Sequence, residues 1–488
     1  MYLDYLIKEV EYECLQGELH IPITDLAYDT RNEIKPGAVF FCISGAVTDG
    51  HKHIEEAIEK GAAALVVERD VRPDAPITVI KVQSSRKALA YMSAAFFDHP
   101  AKKLVTIGVT GTKGKTTTTY MIKAILENIG RKVGLIGTIE TIIGNEAIPN
   151  NNTTPESYLI QKYMARMVEA GCDSVVMEAS SQGLKHNRID GFTFDYGVFT
   201  NLQPDHIGGA EHTDFDDYLR SKSLLFRKCK TGLVNIDDPH AEEILQGHSC
   251  TLFTFGFDKK ADFRAADAEL IQGPGFLGIS YRAEGMVSMD VRMNIPGKFN
   301  IYNSLCAIAI CRQLGAENEA IQEALGRIKV KGRVELVPVK GNYTVMIDYA
   351  HNAMSLESLL KSLREYNPKR LVCLFGCGGN RSRDRRFEMG EVSSRLADLT
   401  VVTSDNPRWE EPESIIADIV TGVKKGPGKY VEIIDRREAI KYCITNAMEG
   451  DIIVIAGKGH ENYQEIRGVK HHMDDRELVA EALSGIEG

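Results

Sequence analysis

A short loop of glycine, threonine and lysine carries the clearest chemical signal in this sequence. The loop is Gly111-Thr-Lys-Gly-Lys-Thr116, which follows the apolar run Leu104–Val109 and precedes an amphipathic segment that starts near Tyr120. A strand, a glycine-rich turn with Lys-Thr and a helix together form an architecture that cradles phosphate groups. The helix N-terminus, the Lys115 ammonium and the Thr116 hydroxyl can contact phosphate oxygens and Mg²⁺. The loop therefore predicts binding of a nucleoside triphosphate.

The glycine spacing of this loop is unusual. Two residues separate Gly111 from Gly114, whereas the common phosphate loop has four residues between its glycines. A turn of this composition also arises by chance, so the loop alone does not distinguish between classes of nucleotide-binding protein.

Ionisable side chains follow two further apolar runs. Glu178 ends the run Ser174–Glu178, and His206 lies shortly after Tyr196–Thr200. Because parallel sheets bind ligands at the carboxyl ends of their strands, both side chains are candidates for Mg²⁺ and phosphate chemistry. Such a residue is more often an ordinary loop residue, so position alone supports this interpretation weakly.

Near the C-terminus, four apolar runs each lead into a polar loop. These loops are Asp348-Tyr-Ala-His351, Gly376-Cys-Gly-Gly-Asn-Arg381, Ser404-Asp-Asn-Pro-Arg408 and Gly457-Lys-Gly-His-Glu461. We expect all four at the same edge of one sheet, where they would form an active-site wall.

The elements that must position these residues indicate an α/β protein of several domains. A chain of 488 residues exceeds what one hydrophobic core usually supports. Alternating strands and helices predict a smaller N-terminal α/β domain (1–100), a central doubly wound P-loop domain with a mostly parallel sheet (101–331) and a C-terminal Rossmann-like α/β domain (332–488). Two alternating runs within 276–295 predict a hairpin attached to the middle domain.

Composition excludes several functional classes. The formal net charge of −10 argues against non-specific nucleic-acid binding, and any anionic ligand must be held by local cationic clusters. No apolar run approaches the roughly 20 residues that span a bilayer, and the acidic N-terminus does not resemble a secretory signal. The 10 cysteines are scattered singly, which is typical of core thiols in a reducing compartment. We therefore expect a cytoplasmic protein that binds neither membrane nor nucleic acid.

Taken together, the motifs resemble the Mur ligases, ATP-dependent amino-acid ligases of bacterial cell-wall synthesis. The resemblance runs from end to end and includes Thr110-Gly-Thr-Lys-Gly-Lys-Thr116, Met177-Glu-Ala-Ser-Ser181, Gly297-Lys-Phe-Asn300 with Asn303, Gly332-Arg-Val-Glu335 and Asp348-Tyr-Ala-His351. The short glycine spacing is the form that this family uses. Similarity to the member that adds the third residue of the peptide stem, in its diaminopimelate-specific form, comes from Asp29-Thr-Arg31, Asn152-Thr-Thr154, Asp405-Asn-Pro-Arg408 and Gly457-Lys-Gly-His-Glu461.

The resemblance implies a reaction. ATP would phosphorylate the D-glutamate γ-carboxylate of UDP-N-acetylmuramoyl-L-alanyl-D-glutamate, and the amine of meso-diaminopimelate would attack the acyl phosphate. It also implies ATP and Mg²⁺ as cofactors and a monomeric enzyme. The same step with L-lysine, or a related ligase for another amino acid, remains the alternative.

The resemblance further assigns residues to sites. Catalytic roles fall on Lys115, Glu178, His206 and Lys222, and the Mg²⁺ ligands would be Thr116, Glu178 and a carbamylated Lys222. The implied nucleotide site comprises Gly111, Thr112, Lys113, Gly114, Lys115, Thr116, Thr117, Asn303, Arg333, Asp348 and His351. The implied UDP-sugar peptide site comprises Tyr28, Thr30, Ala46, Val47, Thr48, Asn152, Thr153, Thr154, Ser180, His186 and Arg188. The implied amino-acid site comprises Arg381, Asp405, Asn406, Pro407, Arg408, Gly457 and Glu461.

Several positions depart from the family pattern. Lys113 stands where asparagine is usual, and Ala353 replaces a common proline. Ala46 and Val47 replace polar side chains in the region that would bind uracil, and residues 207–212 lack the usual acidic pattern.

Two other classes of protein remain as alternatives. A transport ATPase or switch GTPase would need a Walker-type aspartate and switch elements, and it would not need the C-terminal loops. A binding protein derived from an inactive ligase would not need Lys115, Glu178 and Lys222, yet all three are present.

Overall fold

The structure is a computed structural model that describes residues 1–45, 48–205, 207–208 and 211–485. The chain forms two compact units. The first unit comprises Met1–Arg264 and Leu305–Ala320, and the second comprises Ala265–Ser304 and Ile321–Gly488.

A five-stranded sheet near the N-terminus has the strand order β1-β5-β4-β3-β2. Its strands are β1 (Tyr12–Gln16), β2 (Leu26–Ala27), β3 (Val39–Phe41), β4 (Ala64–Val67) and β5 (Thr78–Val82). Its helices are α1 (Leu3–Leu6), α2 (Ile54–Glu59) and α3 (Ser85–Phe96). Only β1 runs antiparallel to its neighbour, and the other strands are parallel. The apolar residues of β3 and β4 are fully buried, as expected for parallel strands covered on both faces.

A second sheet forms the rest of the first unit. Its strands are β6 (Val105–Thr110), β7 (Val133–Ile136), β8 (Glu140–Ile143), β9 (Glu146–Pro149), β10 (Ser174–Glu178), β11 (Phe194–Phe199), β12 (Cys229–Asn235), β13 (Thr251–Gly256) and the start of β14 (Phe263–Gly273). They lie in the order β14-β13-β12-β11-β6-β10-β7-β8-β9, and only β8 and β9 are antiparallel to their neighbours. The helices are α4 (Lys115–Asn128), α5 (Ser157–Glu169), α6 (Ser181–Lys185), α7 (Phe215–Ser223) and α8 (Ala241–Ile244).

The register of this sheet brings several strand ends to one edge. β10 pairs with β6 so that Glu178 lies opposite Val109, and its other neighbour is β7. On the far side of β6, Phe199 of β11 lies opposite Thr110. The phosphate loop and the residues that follow β7, β10 and β11 therefore start at the same edge.

The second unit contains a six-stranded sheet with the order β17-β18-β22-β19-β20-β21. The strands of this unit after β14 are β15 (Phe276–Gly285), β16 (Met289–Met293), β17 (Glu335–Val337), β18 (Thr344–Asp348), β19 (Arg370–Phe375), β20 (Leu399–Val402), β21 (Lys429–Glu432), β22 (Asp451–Ala456), β23 (Tyr463–Ile466) and β24 (Val469–His472). The helices that begin after β16 are α9 (Phe299–Gln313), α10 (Asn318–Arg327), α11 (Ala353–Arg364), α12 (Asp384–Leu396), α13 (Pro412–Val423), α14 (Arg436–Thr445) and α15 (Asp475–Ser484).

The predicted hairpin is confirmed, because β15 and β16 pair in an antiparallel register. Its residues group with the second compact unit. The Tyr366 hydroxyl contacts this segment: it donates to the Gly278 carbonyl at 2.8 Å and accepts from the Gly297 N–H at 3.1 Å. The predicted domain boundaries at residues 100 and 331 stay predictions.

The four polar loops share one edge of the six-stranded sheet, as predicted. Asp348 at the end of β18 lies opposite Ala456 of β22, and Phe375 of β19 lies opposite Val402 of β20. These strands are parallel, and β19 also pairs with β22. Each of the four loops therefore leaves the sheet in the same direction.

The α/β fold class with mostly parallel sheets is confirmed. All ten cysteines are free thiols, and Cys14 alone is exposed. The expectation of core thiols thus holds for the other nine. Among the residues that the structure describes, no helix is long and apolar enough to cross a membrane.

A buried ion pair joins α14 to α15. Arg436 donates through Nε and Nη2 to the two carboxylate oxygens of Asp475, each at 2.7 Å, and both side chains are 0% exposed. Arg436 also donates to the carbonyl of Ala456 at 3.1 Å. The pair therefore ties two helices to the end of β22.

We expect Asp475→Ala to destabilise the protein strongly, because it leaves the Arg436 charge buried without its partner. Breaking such a pair typically costs about 3–5 kcal/mol of unfolding free energy. Urea unfolding followed by circular dichroism measures the change. Glu477→Ala is the matched control, because Glu477 lies on the same helix and makes only an exposed contact with His472. Equal shifts of the unfolding midpoint in the two variants would contradict this account.

Candidate active site

Two glycines shape the phosphate loop. Gly111 and Gly114 have backbone φ angles of +147° and +88°, which L-residues with a side chain rarely adopt. A Cβ atom on Gly111 would also lie 2.0 Å from Thr200 Oγ1. Helix α4 begins at Lys115, directly after Gly114. The loop thus requires glycine at both positions and points a helix N-terminus at its centre.

The end of β11 holds the phosphate loop through the backbone of Lys113. Thr200 Oγ1 and Asn201 Nδ2 donate to the Lys113 carbonyl at 2.7 and 3.0 Å, and the Lys113 N–H donates to Asn201 Oδ1 at 3.0 Å. Because these bonds use only main-chain atoms of Lys113, the departure from the family pattern at this position leaves the loop intact.

Glu178 forms the link between the phosphate loop and the rest of this edge. Its side chain is 1% exposed, and its Oε1 accepts from the Thr116 hydroxyl at 3.0 Å and the Thr138 N–H at 2.9 Å. Its Oε2 accepts from the Thr138 hydroxyl at 2.9 Å, and that hydroxyl lies 3.0 Å from Thr153 Oγ1. Gly137 leaves room for this arrangement, since a Cβ atom there would lie 2.5 Å from Glu178 Oε1.

The oxygen atoms at this position suit Mg²⁺. This ion usually binds one or two carboxylates together with substrate phosphates, and it prefers hard oxygen ligands. Thr116 and Glu178 supply such oxygens beside the phosphate loop. Among the described residues, no group of three or more His, Cys, Asp or Glu side chains could hold a metal ion alone. Thr116 and Glu178, with their oxygens beside the phosphate loop, fit an ion that shares its coordination with phosphate oxygens.

Lys222 lies on α7 and is buried beside the phosphate loop. Its Nζ donates to the Gly111 carbonyl at 2.8 Å and lies 4.5 Å from the centre of the Tyr218 ring. Burial, and secondly the charge of Lys115, hold the pKa of Lys222 well below its usual range. Both effects favour the uncharged amine, whose nitrogen lone pair is nucleophilic.

Thr154 connects two other residues that are predicted to bind the substrate. Its hydroxyl donates to the Glu178 carbonyl at 2.8 Å and accepts from the Ser180 N–H at 2.9 Å. Its own carbonyl accepts from Arg188 Nη1 at 3.0 Å. The structure thus brings Thr154, Ser180 and Arg188 together next to Glu178.

Tyr28 belongs to the same region of the first unit. Burial, and secondly the charge of Glu156, raise the pKa of Tyr28 to about 12. Glu156 pairs with both Arg86 and Arg188 at 2.9 Å. The two arginines carry one more positive charge than this carboxylate balances, which suits an anionic ligand.

The other predicted substrate residues differ in exposure. Thr30 is buried, Thr48 and Asn152 are exposed, and His186 is half-buried. Ala46, Val47 and His206, which the sequence also assigned to the site, lie outside the described residues.

In the second unit, Asp348 lies among residues that are predicted to bind the nucleotide. Its carboxylate accepts from the N–H groups of Val334 and Ala350 at 2.7 and 2.8 Å. Burial raises the pKa of Asp348. The guanidinium of Arg333 lies 4.7 Å from the centre of the Tyr349 ring.

Two histidines complete this cluster. The rings of His351 and His460 lie 4.6 and 4.7 Å from the Tyr349 ring. Burial, with the nearby Arg333 charge, lowers the pKa of His460 to about 3, and burial also lowers that of His351. Neutral flat rings beside a guanidinium can stack on a planar base. Asn303 lies in α9 of the same unit and donates to Asn300 Oδ1 at 2.9 Å.

The predicted amino-acid residues gather around a buried lysine. Lys458 is 0% exposed, and its Nζ donates to Asn406 Oδ1 and to Glu461 Oε2, each at 3.2 Å. Asn406 Nδ2 donates to the same Glu461 oxygen at 2.9 Å. Gly457 has a φ of +104°, and a Cβ atom there would lie 3.0 Å from Asp405 Oδ2. Asp405, Asn406, Gly457 and Glu461 are therefore neighbours.

Arg408 lies beside this group in a strained backbone conformation, with a φ of +53°. Its Nε donates to Glu465 Oε2 at 3.2 Å, and its Nη1 donates to the Gly379 carbonyl at 2.8 Å. Pro407 packs so close to Gly379 that a Cβ atom on that glycine would lie 1.9 Å from the Pro407 carbonyl oxygen. Arg381 is exposed.

Sequence reasoning missed Thr138 and Lys458. Thr138 follows β7, which pairs with β10, so the rule that singled out Glu178 applies to it as well. Lys458 stood within a motif that was singled out, but a lysine is rarely buried completely, and nothing in the sequence indicated its partners.

Models of known protein families match three segments of the chain. They describe the Mur ligase family catalytic domain (residues 23–97), the Mur ligase middle domain (109–311) and the Mur ligase glutamate ligase domain (332–459).

Curated proteins and solved structures match the chain over its whole length. UDP-N-acetylmuramoyl-L-alanyl-D-glutamate–2,6-diaminopimelate ligase 1 of Clostridium acetobutylicum is 43% identical over 486 residues, which cover 99% of each chain. The ligase of the same kind from Clostridioides difficile is 42% identical over 490 residues, which cover 99% of this chain and 100% of the relative. A solved structure of such a ligase matches with a TM-score of 0.72 and 28% identity, covering 100% of this chain and 99% of the other.

Proposed function

The chain belongs to the Mur ligase family, and we propose that it joins meso-diaminopimelate to UDP-N-acetylmuramoyl-L-alanyl-D-glutamate at the expense of ATP. One observation carries this proposal beyond family membership. The hydrogen-bonded series Thr116–Glu178–Thr138–Thr153 connects the phosphate loop to the segment assigned to the sugar peptide. Phosphoryl transfer requires the γ-phosphate of ATP and the carboxylate that receives it to lie next to each other, and this series joins the two segments that would bind them.

The reaction proceeds in two substitutions. An oxygen of the D-glutamate γ-carboxylate attacks the γ-phosphorus of ATP, the bond to the β–γ bridging oxygen breaks, and ADP leaves. The amine of diaminopimelate then attacks the acyl-phosphate carbon, loses a proton, and inorganic phosphate leaves. Catalysis of this kind rests on positioning and charge stabilisation. The Lys115 ammonium and the N-terminus of α4 supply positive charge at the phosphate oxygens.

Mg²⁺ would be held by Thr116, Glu178 and a carbamylated Lys222. When bound, the ion neutralises charge on the phosphate oxygens. Lys222 supports this assignment because an uncharged amine can attack CO₂, and the resulting carbamate offers oxygen ligands suited to a hard cation.

The remaining assignments are part of the proposal. Residues 1–100 would bind the UDP-sugar, 101–331 ATP and 332–488 the amino acid. His206, Ala46 and Val47 keep the roles that the family resemblance implies. We further propose a cytoplasmic monomer.

Phosphate release from ATP by the purified protein tests this function. The expected result is release that requires both UDP-N-acetylmuramoyl-L-alanyl-D-glutamate and diaminopimelate. Release without either substrate would indicate a P-loop ATPase of another class. No release under any condition would indicate a binding protein derived from a ligase.

We expect Lys115→Ala to fold normally and to lose turnover by roughly 10²-fold or more, because the ammonium stabilises charge that develops on the phosphoryl group. Steady-state phosphate release measures the loss. Lys113→Ala is the comparison, and we expect a much smaller effect because the loop uses the backbone of that residue. Near-normal turnover of a folded Lys115→Ala protein would refute the role of the lysine.

We expect Lys222 to be carbamylated and Lys222→Ala to be almost inactive, with partial rescue by acetate or propionate. A ¹³C resonance from protein equilibrated with ¹³CO₂, absent in Lys222→Ala, would report the carbamate directly. Lys230→Ala, which removes an exposed lysine paired with Asp195, is the control and should retain the signal and the activity. A spectrum without the carbamate resonance would disprove the modification.

We expect strong preference for diaminopimelate over L-lysine, because Arg408 can bind the second carboxylate in a bidentate manner. An unpaired site group can reject an analogue by about 10⁴-fold. The ratio of kcat/KM for the two amino acids measures this preference, and Arg408→Met should reduce it. Arg467→Met, which removes an exposed arginine paired with Glu411, should not. Use of lysine within about tenfold of diaminopimelate, ~1.4 kcal/mol, would exclude Arg408 as the discriminating residue.

A further inference from the structure

A series of hydrogen bonds runs from α7 to His186, one of the residues assigned to the sugar peptide. Asp217 Oδ2 lies 3.1 Å from His212 Nδ1. His212 Nε2 lies 3.2 Å from Gln182 Nε2, and Gln182 Oε1 lies 2.8 Å from His186 Nε2. The His212 side chain is 0% exposed, whereas Gln182 and His186 are half-buried. The series therefore passes through the buried ring of His212 and ends on the partly exposed imidazole of His186.

A backbone carbonyl fixes the orientation of the Gln182 amide. Gln182 Nε2 lies 2.7 Å from the carbonyl oxygen of Glu211, which can only accept a hydrogen bond. The amide nitrogen must therefore face Glu211, and Oε1 must face His186. Because an amide oxygen also only accepts, His186 Nε2 must carry the proton.

The hydrogen-bond partners of His212 also determine which of its ring nitrogens carries the proton. The second N–H of Gln182 points at His212 Nε2, which must therefore accept, so Nδ1 carries the proton and donates to Asp217. The Ser181 hydroxyl lies 2.9 Å from the same Nε2 and can donate as well. Lys185 Nζ donates to Asp217 at 2.6 Å and balances the carboxylate charge. Every donor in the series thus faces an acceptor.

His186 is held in its neutral form. Burial is the largest cause that lowers the pKa of His186, followed by the charges of Arg86, Arg188 and Lys185. An imidazole that is neutral and protonated on Nε2 carries a lone pair on Nδ1. This nitrogen is an acceptor in a region that holds the cations of Arg86, Arg188 and Lys185 and the carboxylate of Glu156.

We propose that Gln182 and His212 are positioning residues that hold His186 in the Nε2–H tautomer, so that Nδ1 accepts a hydrogen bond from an uncharged N–H or O–H group of the sugar-peptide substrate. The identity of the substrate rests on the proposed function. The arginines suit the anionic groups of the substrate. Nδ1 of His186 instead recognises an uncharged hydrogen-bond donor, which a purely anionic ligand lacks. A site built to hydrogen-bond such a group rejects analogues without it.

The tautomers can be measured on the unaltered protein. Long-range ¹H–¹⁵N spectra of ¹⁵N-histidine-labelled protein distinguish the two neutral forms, and His186→Ala and His212→Ala assign the signals. We expect the Nε2–H form for His186 and the Nδ1–H form for His212. A doubly protonated His186, or the Nδ1–H form, would overturn the proposal.

A double-mutant cycle tests whether Gln182 acts through His186. We expect Gln182→Leu to raise KM for the sugar peptide about tenfold, the factor expected from loss of one orienting hydrogen bond, with kcat and the KM values for ATP and amino acid little changed. In a His186→Ala background the same change should add almost nothing. Gln246→Leu, at an exposed glutamine, is the matched control. An equal effect in both backgrounds would mean that Gln182 acts structurally, and would overturn the proposal.

Failure of this inference is distinguishable from failure of the proposed function. An unaltered protein that releases no phosphate with its substrates would refute the ligase assignment, whereas the tautomer measurement needs no activity. If Gln182→Leu does not fold, the spectra of the unaltered protein still decide between the two forms.

Discussion

The buried carboxylate of Glu178 is the constraint on which the first unit depends. A carboxylate that is 1% exposed is costly unless its oxygens accept hydrogen bonds. Thr138 donates twice and Thr116 once, so the ends of β7 and β10 and the start of α4 are held at fixed separations. The Glu178 carbonyl accepts from Thr154, which adds the substrate segment to the same network. The hydrogen bonds that the buried Glu178 carboxylate requires therefore fix the geometry of the phosphate loop and of the neighbouring ends of β7 and β10.

A comparable constraint supports the loops of the second unit. Arg436 is paired with Asp475 and donates to the carbonyls of Ser404 and Ala456. Those carbonyls immediately precede Asp405 and Gly457, two of the predicted amino-acid residues. Lys458 then bridges the side chains of the two loops. The same buried charge that stabilises the fold thus fixes the backbone from which the site residues project.

The sequence predicted the fold class and the sheet edge at which the polar loops lie, because both follow from local rules. Strand ends in a parallel sheet point to one edge, so Glu178 and the four C-terminal loops could be placed without a structure. The hydrogen bond from Tyr366 to the Gly278 carbonyl could not, since the two residues lie far apart in the chain. Thr138 and Lys458 were missed because Glu178 and Asn406, with which they form hydrogen bonds, are distant in sequence, and hydrogen-bond direction leaves no periodic pattern.

Burial and the charge of Lys115 both affect the protonation of Lys222. The ammonium groups of Lys115 and Lys222 both donate to the carbonyl oxygen of Gly111, each at 2.8 Å. Two positive charges that share one acceptor repel each other, and burial weakens the screening that would reduce this repulsion. A lowered pKa reduces this conflict, because it favours the uncharged form of Lys222. A carbamate on that nitrogen would go further, because it replaces a cation that repels Lys115 with an anion that attracts it. Burial and the neighbouring charge of Lys115 thus both disfavour the ammonium form of Lys222.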